Sequence, residues 1–142
     1  MSRHKSTIKE KDLLKWLLDS FRDHPNILLK RRNVGAHKTE DGRFIRFGEK
    51  GQADIWGIVR EHTCSKCKRL CQGTHLEIEL KGSDGMPTEL QIKWLNQVAE
   101  YNAIPILLFA EADDPINLQK RVEETIYSTK CPICYGLEKN NG

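Results

Sequence analysis

The sequence predicts a mixed β-sheet flanked by helices, in the α/β or α+β class. Three observations lead there. Residues 7–22 carry apolar side chains at helical spacing, the middle of the chain alternates with the period of strands, and residues 75–110 read strand, helix, strand. At 142 residues the chain is long enough for one compact domain with a real core and short for two, so a single domain over 1–142 is expected.

Taken in order, TIKEKDLLKWLLDSFR places Leu14, Leu17, Leu18 and Phe21 on one stripe and predicts the first helix over 7–22. NILLKRRN, GRFIRFG and ADIWGIV follow as β-type runs broken by Gly, Asn and Asp, read as a small meander. HLEIELKG, residues 75–82, is a further strand after a Cys-bearing insertion over 61–75. Its alternation sends Leu76, Ile78 and Leu80 to a buried face and Glu77, Glu79 and Lys81 to the other. That charged face is expected to meet water, a metal ion or a substrate, with Glu77 in a surface ion pair.

GSDGMP is turn chemistry, and Thr88 with Gln91 three residues on forms a capping-box pattern for a helix whose buried stripe is Leu90, Trp94, Leu95 and Val98. IPILLFA, residues 104–110, reads as a strand covered on both faces, which makes the strand–helix–strand unit a parallel crossover. Asp114 and Pro115 then suit the start of a last helix reaching Ile126.

Apolar content of 38% and charged content of 30% are ordinary for a globular domain, and no apolar run approaches the ~20 residues of a membrane span. The start, MSRHKSTIKEK, is polar and lacks a secretory apolar segment, so a cytoplasmic protein without membrane association is expected. A net charge of +3 argues for no particular partner, but residues 30–50 hold seven basic residues against three acidic ones. That stretch suits either a phosphate backbone or a solvated hairpin face.

Asp54 opens a strand expected to pair beside HLEIELKG, where it would converge with Glu79. Two carboxylates with a backbone carbonyl and water suit Mg²⁺, which takes hard oxygen ligands and keeps much of its water. Lys81 would add a positive charge for orienting water or steadying charge on phosphorus.

The ordered set RRNVGA, GRFIRFGEKGQADIWGI, HLEIELKG and ELQIKWLNQVAEYNA resembles the VRR-NUC nucleases of the PD-(D/E)xK superfamily, particularly the small stand-alone phage type. It covers residues 7 to 110, and Ala53 departs from the usual proline before the aspartate. The resemblance implies a restriction-endonuclease-like fold and a Mg²⁺- or Mn²⁺-dependent deoxyribonuclease. Asp54 and Glu79 would be metal ligands, Lys81 the catalytic lysine and Gln91 the characteristic glutamine. Glu10 falls where an acidic residue of the first helix often completes the metal site. Two of these residues have simpler readings as well: Gln91 could only cap its helix, and Thr7 with Glu10 is itself a capping-box pattern. DNA phosphates would be met by Lys30, Arg31, Arg32, Arg43, Arg46 and Lys93. The resemblance points to an endonuclease of DNA replication, repair or recombination, on branched DNA among other forms, in the host cytoplasm if of phage origin; a symmetric homodimer is plausible for cutting both strands.

Five cysteines occur, and Cys64 with Cys67 and Cys131 with Cys134 form two CxxC pairs. Two such pairs suit a closed tetrahedral Zn²⁺ site, which would join the 61–75 insertion to a 128–142 tail as a zinc-knuckle flank. Cys71 is left over, and it, His62 or His75 could substitute as a ligand. The odd count and the polar start disfavour disulfides. Two rivals to the DNA nuclease are a non-catalytic zinc-containing module that binds nucleic acid, and a nuclease acting on RNA.

Overall fold

The computed structural model describes residues 7–33 and 35–129, with the backbone alone at 35, 46 and 47. The described elements are α1 (Glu10–Ser20), β1 (Ile27–Arg31), β2 (Gly35–Lys38), β3 (Phe44–Phe47), β4 (Ile55–Thr63), β5 (Leu70–Lys81), α2 (Glu89–Glu100), β6 (Ile104–Phe109) and α3 (Leu118–Tyr127). They make a mixed α+β fold. A four-stranded sheet runs in the order β1-β4-β5-β6, and β2 and β3 form a separate two-stranded ribbon. β4 is antiparallel to both β1 and β5, whereas β6 is parallel to β5, as the crossover through α2 requires.

Both faces of β5 are covered. Leu76, Ile78 and Leu80 join Leu13, Leu17 and Phe21 of α1 and Leu118, Val122 and Ile126 of α3 in the core. Glu77, Glu79 and Lys81 lie on the other face, under α2, and are buried as well. Of the three expected neighbours of this face, burial removes bulk water, and Glu77, expected in a surface ion pair, makes its pair in the interior. Trp94 and Gln91 of α2 bond to Glu77 and Glu79, so the helix seals this face with polar groups.

The meander is replaced by a different path. β1 pairs directly with β4, from Ile27 opposite Val59 to Arg31 opposite Ile55, and GRFIRFG forms the ribbon with residues 35–38 outside the main sheet. α1 starts at Glu10 with Lys9 as N-cap and no side-chain cap bond, so the Thr7–Glu10 capping box does not form. The Thr88–Gln91 box is present in full. On α2 the buried residues are Leu95 and Val98, while Leu90 is exposed. β6 alternates buried with partly or fully exposed positions, because it is an edge strand whose Pro105 and Phe109 are only partly covered. α3 begins at Leu118, not at Asp114: the Asp114 carboxylate instead accepts from Arg121 at 2.7 and 2.8 Å and from the backbone N–H of Glu111. Among the described residues no helix is long and apolar enough to cross a membrane.

Candidate metal centre

Strand register brings the first two acids together. Ile55 stands opposite Ile78, which puts Asp54 at the mouth of β4 beside Glu79. Asp54 is clamped from both sides: its Oδ2 accepts from the Leu80 N–H at 3.0 Å, and its carbonyl accepts from the Arg32 N–H at 2.8 Å. The loop before it packs closely on α2, because a Cβ at Gly51 would lie 2.8 Å from the Leu90 carbonyl oxygen. Gly51 also has φ +94, a conformation that favours glycine.

Glu10 arrives from far away in sequence. The Ile8 N–H donates to Ser83 Oγ at 2.9 Å and the Ser83 N–H donates to the Ile8 carbonyl at 2.9 Å, fastening the start of α1 to the turn after β5. Gly82 permits the approach, since a Cβ there would sit 2.7 Å from the Ile8 carbonyl oxygen and 3.1 Å from the Glu10 nitrogen. One carboxylate oxygen from each of Glu10, Asp54 and Glu79 then falls within 4.8 Å of the others.

The electrostatics of this cluster are unbalanced. Lys81 Nζ lies 3.5 Å from Glu79 Oε1 and is the adjacent positive charge. Burial, reinforced by the Asp54 charge and only partly offset by Lys81, pushes the Glu79 carboxyl up to about 8. Burial and the Asp54 charge also raise Glu10. Glu79 Oε2, like Glu77 Oε2, is buried with no hydrogen-bond partner, although a buried carboxylate oxygen normally has one; of the two residues only Glu79 belongs to the cluster of three acids. Three carboxylates, one ammonium and an orphaned oxygen fit a hard divalent cation: it would supply the missing charge and the missing contact together.

Gln91 forms the helix cap and also reaches Glu79. Its Oε1 accepts from the Thr88 N–H at 2.9 Å, which fixes the amide so that Nε2 donates to Glu79 Oε1 at 2.7 Å. Glu77, two residues before Glu79, is held differently, and its Oε2 is likewise buried without a hydrogen-bond partner. It accepts from Arg32 Nη1 and, at 3.0 Å, from Trp94 Nε1, and His75 Nε2 lies 3.2 Å from its second oxygen. Arg32 also sits over the Trp94 ring, 5.8 Å from its centroid. Glu77 thus has its cation from the protein, and Glu79 is the acid left facing the cluster. Sequence reasoning missed this Arg32–Glu77–Trp94 group; its one signal was that Glu77 shares a face with Glu79.

Of the residues expected to meet phosphate, Lys30, Arg31, Arg43 and Lys93 are exposed, with Arg43 Nε donating to Asp41 at 2.9 Å. Arg32 is committed to Glu77, and only the backbone of Arg46 is described, in β3. Cys64 is buried directly after β4, with the half-buried Cys71 packed against it, and Cys67 is exposed in the turn. The Cys64 N–H donates to the Arg69 carbonyl at 2.8 Å, and the Lys68 N–H donates to the Cys64 carbonyl at 3.1 Å. Ser65 Oγ donates to the Ser128 carbonyl at 3.2 Å, bringing this turn to the end of α3; Cys131 and Cys134 lie outside the described residues. His62 is buried against Thr74, and His75 stands by Glu77. No protein-family model matches the sequence, and no curated protein matches it either.

Proposed function

We propose that the protein is a divalent-metal-dependent nuclease that hydrolyses DNA phosphodiester bonds as an endonuclease, on a restriction-endonuclease-like core. The observation that carries this reading is the convergence of Glu10, Asp54 and Glu79, with the orphaned Glu79 oxygen, beside the Lys81 ammonium. Those three acids would hold Mg²⁺ or Mn²⁺. When bound, such an ion supplies Lewis-acid polarisation of a phosphoryl oxygen and makes water a stronger nucleophile at neutral pH.

The remaining chemistry belongs to the side chains. Lys81, nine-tenths buried, keeps its ammonium close to Glu79, where it lowers the cost of gathering three carboxylates and faces the charge that develops on the phosphate oxygens. The Leu80 N–H fixes Asp54, and the Gln91 amide fixes Glu79, so neither acid must reorganise when substrate arrives. Gln91 is in this sense a positioning residue. Exposed Lys30, Arg31, Arg43 and Lys93 would hold the phosphate backbone, which makes binding fall steeply with salt. Cys64 and Cys67 with Cys131 and Cys134 would hold a structural Zn²⁺ that ties the β4–β5 turn to the chain beyond α3.

The test is cleavage of plasmid, linear and branched DNA, and of RNA in parallel, with Mg²⁺, Mn²⁺ or Ca²⁺. The unaltered protein should cut DNA with Mg²⁺ and bind without efficient cutting in Ca²⁺. Asp54→Ala and Lys81→Ala should abolish cutting while keeping DNA binding. Unchanged cleavage by both variants overturns this site, and binding with no cleavage under any metal favours a non-catalytic module.

A further inference from the structure

The β2–β3 ribbon stands apart from the four-stranded sheet, yet its two roots meet at the metal centre. It leaves the chain after Arg32 and returns just before Asp54, and the Arg32 N–H to Asp54 carbonyl bond ties the two roots together. Its tip is fixed. The Thr39 N–H donates to the Arg43 carbonyl at 2.7 Å, Asp41 accepts from Thr39 and Arg43, and Gly42 supplies φ +87.

A two-stranded ribbon has no second layer to cover its faces. Phe44 and Ile45 are consecutive and so point to opposite faces, and they are 72% and 51% exposed. Lys38 pairs across the ladder with Phe44, and His37 with Ile45. The Phe44 face therefore carries a ring with Lys38 opposite it across the ladder, and Lys30, Arg31, Lys50 and the Asp41-paired Arg43 lie exposed in the same segment. An aromatic ring across the ladder from a cation, on an arm rooted beside the candidate metal centre, matches how proteins hold single-stranded nucleic acid: bases stack on the ring and the cation meets the backbone.

We propose that Phe44 and Lys38 form a nucleobase-stacking site that holds an unpaired base while its strand passes the carboxylate cluster. This deepens the nuclease reading and rests on it. Seven basic residues against three acidic ones over 30–50 favour nucleic acid over a second copy of the chain as the occupant.

The experiment is binding, in Ca²⁺, of a single-stranded oligonucleotide with one 2-aminopurine, compared with the fully paired duplex. The full-length protein is compared with Phe44→Ala and Phe44→Trp, and all three are sized by sedimentation. Stacking should quench 2-aminopurine with the unaltered protein and with Phe44→Trp. Phe44→Ala should lose the quench and bind the single strand about 10- to 100-fold more weakly, with duplex affinity changed less than twofold. Equal single-strand affinity of Phe44→Ala and the unaltered protein overturns this inference and leaves the nuclease reading standing. A lower mass for Phe44→Ala with unchanged oligonucleotide affinity also overturns it, in favour of a second copy. No binding of any nucleic acid by the unaltered protein overturns both.

Discussion

Replacing Arg32 by alanine separates a structural role from a phosphate-binding one. Glu77 is fully buried and accepts from Arg32 Nη1 and Trp94 Nε1. Without Arg32 its negative charge keeps one neutral donor and the His75 ring at 3.2 Å. Breaking a buried pair by removing one partner costs about 3–5 kcal/mol. The Arg32 side chain retains 18% exposure, so water softens the loss, and about 2–4 kcal/mol is expected. For a chain of this size that corresponds to a fall in Tm of roughly 6–14 °C. Urea denaturation at pH 7 is the assay, with Arg32→Ala/Glu77→Leu as the second variant. Removing both charges should recover at least half of the lost stability, because no charge is left stranded. A loss below about 1 kcal/mol for Arg32→Ala, or a double variant as unstable as the sum of the singles, refutes the reasoning. Arg32 would then be a surface cation.

Other outcomes concern the carboxylates directly. Asp54→Ala should abolish the Mg²⁺-induced rise in Tm and lower cleavage by about 10³-fold or more, read by calorimetry and plasmid nicking. Glu79 sits well above its ordinary value, so the metal-free folded state holds a proton that the unfolded chain has released between about pH 4.5 and 8. That contribution is complete below the unfolded value and is lost as pH rises through 8, with a slope of up to about 1.4 kcal/mol per pH unit. Denaturant melts in divalent-free buffer from pH 5 to 8 should show the decline, and Glu79→Gln should flatten it. Gly82→Val should push the Ile8–Glu10 segment off the turn, lowering Tm by several degrees and Mg²⁺ affinity by about tenfold. Displacing zinc with a thiol reagent in the presence of a chromogenic chelator should release one ion per chain, and Cys64→Ser should release none.

The parts of the site readable from sequence were those fixed by short-range rules. A two-residue period places Glu79 and Lys81 together, and Asp54 precedes the neighbouring strand, so their convergence needed only correct pairing. Glu10 was ambiguous because a local capping pattern explained it equally well. What decides it is contact between Ile8 and Ser83, 75 residues apart, which no local pattern encodes. The buried Glu77 misled for a related reason: polar alternation marks a second face, but whether a helix with Trp94 and a distant Arg32 will cover it depends on tertiary packing. GAHK, residues 35–38, has weak strand character, so the sequence does not disclose it as the partner of GRFIRFG, and the three stronger runs read as a meander. Asp114 looked like a cap because Asp-Pro is a common helix opening, yet its charge is taken by Arg121 of the following helix.

The Thr88 cap has a consequence reaching past the helix it begins. One amide, Gln91, is hydrogen-bonded at its oxygen to the Thr88 N–H at the start of the first turn of α2 and at its nitrogen to Glu79 of the candidate metal cluster. Fraying of that turn and loosening of Glu79 are thereby a single event, and linkage makes the effect reciprocal: ion occupancy should slow amide hydrogen exchange at Gln91, just as a better cap should tighten the ion.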